Sequence, residues 1–259
     1  IIGIGGSATT EGGIGMLSAL GYDFMDENGD RLPPVFDSLE KVVQIKNNRV
    51  PEVLKDCHFQ IACDVTNPLC GAQGCVYVFG AQKGVKEEEK ESMDKAMQSY
   101  AACLEKSTGK KLNDILGTGA AGGLGFAFLW GLPNVELKPG IDIVLEAVGL
   151  TNELKDADVV VTGEGCLDFQ TAMGKVPVGV AKATKNYNCK VIAFAGSVTE
   201  EAKNCNEKGI DAFFSILPGV CSLDEAMDME TAQKNMRNAA EQVFRLILAC
   251  GKEKSFLHP

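Results

Sequence analysis

Residues 159–175 of this chain read VVVTGEGCLDFQTAMGK. The apolar run 159–161 predicts a buried strand, and the glycines after it predict a turn. A helix is expected from about 176 to 185. In an open α/β sheet, ligands lie outside the carboxyl ends of the strands. The polar side chains that follow this strand are therefore well placed for chemistry.

Five polar side chains in this turn are candidates for a functional site. They are Glu164, Asp168, Gln170, Thr171 and Lys175. Mg²⁺ prefers carboxylates together with substrate phosphate oxygens, and a lysine adds a point charge beside them. Phosphoryl transfer depends on such positioning and neutralisation of charge. We expect Glu164 and Asp168 to hold Mg²⁺ or substrate and Lys175 to neutralise phosphate.

The sequence around this stretch alternates strands with helices. Strands are predicted at 158–162, 190–195 and 211–217, with helices at about 176–185 and 199–208. This order predicts βαβ units and a parallel sheet. Because the segment 21–134 breaks the rhythm, we predict an α/β protein of two lobes. Residues 1–20 and 135–259 would form a Rossmann-like parallel-sheet lobe, and residues 21–134 a second, inserted mixed α/β lobe.

The composition narrows the classes of function. The chain has 259 residues, of which 45% are hydrophobic and 23% charged, and a formal net charge of −10. Such an acidic chain does not favour a nucleic-acid surface, and no apolar run approaches the ~20 residues that span a bilayer. The ten cysteines include no CxxC pair, so we expect buried thiols in a reducing cytosol rather than a metal site.

The opening glycine turn is a second candidate site. Residues 3–8, Gly-Ile-Gly-Gly-Ser-Ala, fit the dinucleotide pattern G-x-G-x-x-A between a strand end and a helix. The N–H groups of Gly5 and Gly6 and the Ser7 hydroxyl would bind a phosphate or carboxylate equally well. Three readings stay open here: an anion site, a capped structural turn, and an NAD site that uses Asp23 or Asp26.

Two further loops carry polar residues, and each has a structural alternative. Asp64 ends a predicted strand at 59–64 and would polarise a substrate hydroxyl, hold metal, or simply cap the loop. Asn67 would bind substrate or form a turn. Lys83 lies in a glycine-flanked loop and would neutralise phosphate or remain solvated. A second glycine pattern at 117–122 has no strand before it, so helix packing competes with nucleotide binding.

Two enzyme classes are disfavoured. Gly174-Lys175 is followed by Val176, and residue 169 is not glycine, so this is not a P-loop. The two histidines, His58 and His258, lie outside the glycine-rich loops. A Ser-His-Asp or Cys-His hydrolase is therefore not expected.

Taken in order, five segments resemble the motifs of the bacterial glycerate kinase family, and the resemblance covers essentially the whole chain. The segments are Gly3 to Thr9 with Gly12-Gly13; Ala62-Cys63-Asp64-Val65 with Asn67-Pro68-Leu69; Phe79-Gly80 with Gln82-Lys83-Gly84; Gly119 to Gly125; and Thr162-Gly163-Glu164-Gly165 with Asp168, Gln170-Thr171 and Gly174-Lys175.

The resemblance implies a two-lobed α/β enzyme that phosphorylates glycerate with ATP and Mg²⁺, usually at the 2-hydroxyl. It implies glycerate and ATP as partners in the cytoplasm, with a homodimer as an option. Family members also carry a substantial segment before the Gly-Gly-Ser-Ala-Thr motif, so we expect natural N-terminal sequence to precede Ile1. A non-catalytic remnant of the family and an NAD-dependent oxidoreductase are the alternatives.

The chain departs from the family pattern at three places. Thr10-Glu11 stands where Asn-Asp is usual, Ala81 where a proline is usual, and Cys166 where an arginine is usual. The last change removes a fixed charge that can bind a carboxylate or phosphate at two points.

Overall fold

The computed structural model describes residues 1–252. By its contacts the chain divides into two compact units, one spanning Ile1–Ile143 and the other beginning at Val144. This division differs from the predicted lobes, because strand β1 (Ile2–Gly3) pairs with β4 (Phe59–Ala62), inside the segment predicted as the insertion. The lobes of the full-length protein stay a prediction.

The first unit contains two small sheets. Strands β1, β4 and β5 (Val135–Lys138) form a parallel sheet in the order β1-β4-β5. Strands β2 (Asp23–Met25) and β3 (Gln44–Lys46) form an antiparallel pair. Its helices are α1 (Ile14–Ala19), α2 (Cys75–Phe79), α3 (Lys90–Thr108) and α4 (Leu124–Gly131). Helix α5 (Gly140–Ala147) contains the unit boundary.

The main core of the first unit lies between α1, α3, α4 and the β2-β3 pair. Tyr100, Met97 and Leu104 of α3 meet Phe24 and Phe126 there, and all five are fully buried. The three α3 side chains are spaced with the 3.6-residue period of one helix face. A smaller cluster lies beside the parallel sheet.

The second unit has a parallel sheet in the order β6-β7-β8, formed by β6 (Val159–Leu167), β7 (Lys190–Val198) and β8 (Ala212–Ser215). Its helices are α6 (Leu150–Glu153), α7 (Phe169–Ala172), α8 (Val176–Thr184), α9 (Leu223–Met227) and α10 (Met229–Lys252). The predicted helix at 199–208 is a 3₁₀ helix, Glu200–Lys208. The α/β fold class with parallel sheets is confirmed.

Strand β7 explains why this sheet has helices on both faces. Val191, Ala193 and Ala195 pack against α8 and the 3₁₀ helix, whereas Ile192 and Phe194 pack towards α10. A strand buried on both faces reads as a continuous apolar run. Full burial of each large side chain contributes about 1.5–3 kcal/mol.

The strand that carries the signature is longer than predicted. Gly163 and Glu164 pair with Phe194 and Ala195 of β7, and the pairing continues to Leu167. An added Cβ on Gly163 would lie 2.3 Å from the Phe194 carbonyl oxygen. This glycine therefore marks a close approach of two strands rather than the start of a turn. The strand is also less buried than expected, since Val161 is 51% exposed.

Candidate functional site

In the first unit, the ends of β1 and β4 open onto a cavity of about 470 Å³. Its lining combines the opening glycine turn, the end of β4, and two later loops. The lining residues are Ile4, Gly5, Gly6, Ser7, Ala62, Cys63, Asp64, Val65, Phe79, Gln82, Lys83, Ala120 and Ala121. The structure thus brings together Gly5, Gly6, Ser7, Asp64 and Lys83, which the sequence singled out in three separate segments.

Lys83 joins the glycine turn to the loop that follows α2. Its Nζ donates to Ser7 Oγ at 2.9 Å and to the Thr9 carbonyl oxygen at 2.8 Å. Both acceptors are neutral, and burial lowers the pKa of the Lys83 ammonium. A partly desolvated cation held by neutral oxygens favours an anion as a further ligand.

Asp64 lies at the carboxyl end of β4. Its Oδ1 accepts a hydrogen bond of 2.8 Å from the Gly140 N–H at the start of α5. A carboxylate at this end of a helix is stabilised by the helix dipole. The side chain is exposed, and the Gly140 N–H contacts Oδ1.

Asn67 has a structural contact. Its Nδ2 donates to the Gln73 carbonyl oxygen at 2.8 Å, and its own carbonyl accepts from Gly119 N at 3.0 Å. These bonds hold two loops together, and Asn67 is not among the residues that line the cavity. Its predicted binding role stays a prediction.

The loop 119–123 contributes a feature that the sequence analysis missed. Ala121 has φ 53° and ψ 40°, and Gly122 and Gly123 follow in the same left-handed region. A Cβ on Gly122 would lie 2.1 Å from the carbonyl oxygen of Thr9, which also accepts from Lys83. The loop is therefore locked against the opening turn, and its GxGxxG pattern serves this close packing. The pattern did signal a special backbone; the position of Ala121 in the cavity wall did not show in the sequence.

In the second unit, α7 closes the predicted polar turn. The buried Thr171 hydroxyl donates to Glu164 Oε1, and the Thr171 N–H donates to Asp168 Oδ1 at 3.0 Å. Through this bond the Asp168 side chain caps α7. The Asp168 N–H donates back to Thr171 Oγ1 at 3.1 Å, which completes a capping box. Lys175 Nζ lies 3.6 Å from Asp168 Oδ1. Thus Glu164, Asp168, Thr171 and Lys175 form one group.

The charge of Asp168 is stabilised in this group. Partial desolvation acts to raise its pKa, but the hydrogen bonds from Thr171 and the charge of Lys175 outweigh it and lower the pKa below the usual value. The carboxylate is therefore ionised at neutral pH. Gln170 is exposed, while Cys166, at the position of the usual family arginine, is half-buried in β6 opposite Ser197 of β7.

The carboxylates of Glu164 and Asp168 fit a magnesium ion. Thr171 contacts both carboxylates, at Glu164 Oε1 and Asp168 Oδ1, and so holds the two acidic groups together at the end of β6. Mg²⁺ takes one or two carboxylates together with phosphate oxygens and water. No group of three or more metal-binding side chains occurs among residues 1–252, so the donor set resembles a magnesium–phosphate site more than an all-protein cage.

The structure also bears on other residues that the sequence analysis named. Asp23 begins β2, which pairs antiparallel with β3, so it does not end the next parallel strand, as the NAD reading requires. All ten cysteines are free thiols, four of them buried. His258 lies outside the described residues. No helix in the described part of the chain is long and apolar enough to cross a membrane.

Comparison with known proteins agrees with the resemblance. The profile of the glycerate kinase family matches residues 1–248. Glycerate kinase of Bacillus subtilis strain 168 is 43% identical over 243 residues, covering 94% of this chain and 63% of the relative. Glycerate 2-kinase of Escherichia coli K12 is 44% identical over 226 residues, covering 87% and 59%.

A solved structure is similar as well. The crystal structure of a candidate glycerate kinase 2 from Salmonella typhimurium LT2 superposes with a TM-score of 0.82 at 40% sequence identity. The match covers 96% of this chain and 64% of that one. The chain spans slightly less than two thirds of the length of each of these three proteins.

Proposed function

The chain belongs to the glycerate kinase family, and on that premise we propose that it transfers a phosphoryl group from ATP to the 2-hydroxyl of glycerate. The name of the Escherichia coli relative, glycerate 2-kinase, supports the choice of hydroxyl. Because the chain spans 63% of the Bacillus subtilis relative, the proposal concerns the full-length protein.

The observation that carries the proposal is the state of Lys83. Its ammonium is partly desolvated and is held by Ser7 Oγ and the Thr9 carbonyl, both neutral oxygens. Removing a cation from water without a counter-ion costs free energy, and an anionic ligand offsets this cost. Both reactants of a glycerate kinase are anions, so a partly desolvated lysine that lines a cavity and would be stabilised by an anion supports this chemistry.

In this proposal the first-unit cavity holds the reacting hydroxyl. Asp64 would orient the hydroxyl and accept its proton, in the role that an aspartate has in protein kinases. Lys83, the Ser7 hydroxyl and the N–H groups of Gly5 and Gly6 would hold anionic oxygens of the reactants. Since the transition state of phosphoryl transfer is loose, these groups act mainly by position and charge.

The second-unit group would hold the phosphates of ATP. Glu164 and Asp168 would ligate Mg²⁺, which when bound neutralises phosphate charge. Thr171 keeps both carboxylates in place through its hydroxyl and N–H. Lys175 would meet phosphate oxygens, and the exposed Gln170 would donate to substrate. A cytoplasmic location, a homodimer, and the absence of nucleic-acid and membrane partners stay predictions.

A coupled assay of ADP release tests the proposal on full-length protein with ATP, Mg²⁺ and D-glycerate. Lys175→Met removes one charge contact to the transition state, so we expect kcat/KM to fall about 100-fold. Lys182→Met, at an exposed position in helix α8, which begins directly after Lys175, is the matched control and should leave the rate unchanged. Tight binding of ATP or glycerate with no ADP release above background would instead identify a non-catalytic remnant.

A further inference from the structure

A second cavity, of about 650 Å³, lies in the second unit and shares only Glu164 with the chemistry above. It is formed by residues 161–165 in the middle of β6, the carboxyl-terminal part of β7, the two residues that follow β8, helix α9, and Met236 of α10. This is the edge of a parallel sheet at which α/β proteins bind ligands. Its volume lies within the range of small-molecule sites.

The lining of this cavity is apolar and carries no cation. Its polar residues are Thr162, Glu164 and Ser197, and its outer wall includes Leu223 and Met227. Glycerate has no apolar part that would gain from such a wall, and phosphate groups would find no lysine or arginine there. The ligand that fits has an apolar body and only a few hydrogen-bonding edges.

Glu164 connects the apolar cavity to the charged group. It lines the cavity and also accepts the hydrogen bond of Thr171, beside Asp168 and Lys175. A single ligand with an apolar end and a polyanionic end would satisfy both places at once. Resting on the proposed function, we infer that this cavity binds the base and sugar of the nucleoside triphosphate, with the phosphates extending towards Lys175.

Helix α9 is positioned to cover such a base. The Ser222 N–H donates to Glu225 Oε2 at 2.9 Å, and Ser222 Oγ accepts from the Glu225 N–H at 3.3 Å. This capping box sets the start of the helix, so Leu223 and Met227 stand one turn apart and both line the cavity. Each side chain is 76% exposed, an arrangement that a stacked base would cover.

Binding of adenosine, which has no phosphates, tests the site independently of turnover. We expect full-length protein to bind adenosine in calorimetry, and Met227→Asp to weaken that binding at least tenfold. Met227→Leu should retain it. Val220→Asp is the matched control, because Val220 is fully exposed nearby and does not line the cavity.

Kinetics separate this inference from the proposed function. Met227→Asp should raise the KM for ATP at least tenfold while kcat at saturating ATP and the KM for glycerate stay unchanged. A wild-type enzyme that turns over, with equal KM values for ATP in Met227→Asp and Val220→Asp, would overturn the base site and leave the kinase intact. Absence of turnover in the wild type would defeat the proposed function, and adenosine binding would still decide the site.

The remaining alternative is that the apolar wall is a contact between two copies of the chain, and the oligomeric state tests it. If Met227→Asp changes the mass measured by light scattering but not the affinity for adenosine, the apolar wall is a contact between copies and the inference is wrong. We expect no change of mass.

Discussion

The two glycines of the signature strand provide a sharp test of the fold, because they are predicted to respond oppositely to alanine. Gly163 and Gly165 both lie in β6. A Cβ on Gly163 would lie 2.3 Å from the Phe194 carbonyl oxygen, while a Cβ on Gly165 would meet nothing within 4 Å. Neither glycine has a left-handed φ, so the difference is one of space alone.

The expected magnitudes follow from these distances. A carbon and a carbonyl oxygen approach to about 3.3 Å, so Gly163→Ala must separate the strands by about 1 Å. Phe194 is 1% exposed and cannot yield freely, so we expect the free energy of unfolding to fall by about 3 kcal/mol. Gly165→Ala removes backbone freedom from the unfolded chain and should raise it by about 0.5 kcal/mol.

Urea denaturation followed by far-UV circular dichroism measures both changes. With a slope of about 2 kcal/mol per molar urea, the midpoints of the two variants should differ by about 1.5–2 M. Equal midpoints would contradict this prediction, because they would mean that β6 does not approach β7 closely at Gly163. A rise in stability for Gly163→Ala would refute it more strongly.

Four further predictions each concern a single side chain. The pKa of Lys83 is lowered, so its charge is lost as pH rises, and kcat/KM for glycerate should fall at a lower pH than for an unshifted lysine with a pKa near 10.4. Lys83→Arg should retain activity at that pH. Identical pH profiles for the wild type and Lys83→Arg would contradict a role of the Lys83 charge in binding the reactants. Tyr100→Phe should stabilise by about 1 kcal/mol, because the buried hydroxyl has no hydrogen-bond partner among the described residues. Tyr22→Phe should destabilise by about 1 kcal/mol, because its hydroxyl donates to the Gly131 carbonyl at 2.6 Å. A lower urea midpoint for Tyr100→Phe would contradict the first of these two predictions, and an unchanged or higher midpoint for Tyr22→Phe would contradict the second. Asp168→Asn keeps the shape of the helix cap but removes the charge, so Mg²⁺ should be needed at about tenfold higher concentration for half-maximal rate, and an unchanged Mg²⁺ requirement would exclude this residue as a ligand.

Much of the second unit could be predicted because its patterns are local. The run Val191–Ala195 is apolar at every position, which is typical of a strand covered on both faces. The polar residues after β6 also came together as expected, since Asp168 and Thr171 are close in sequence and cap the same short helix.

The features that the sequence did not predict depend on contacts between segments that are far apart in the chain. Gly163 reads as a turn residue when only its neighbours in sequence are considered, and the reason for it lies across the sheet at Phe194. Ala121 has a left-handed backbone that its side chain does not favour, and the packing of Gly122 against Thr9 imposes it. The pairing of β1 with β4 likewise joins segments about 60 residues apart, which no local pattern reveals.

Direct observation of the product tests the central claim. Full-length protein is incubated with ATP, Mg²⁺ and D-glycerate, and the mixture is followed by ³¹P nuclear magnetic resonance. We expect a phosphate monoester resonance of 2-phosphoglycerate that grows in step with ADP. Consumption of ATP that yields only inorganic phosphate, or no consumption at all, would contradict it.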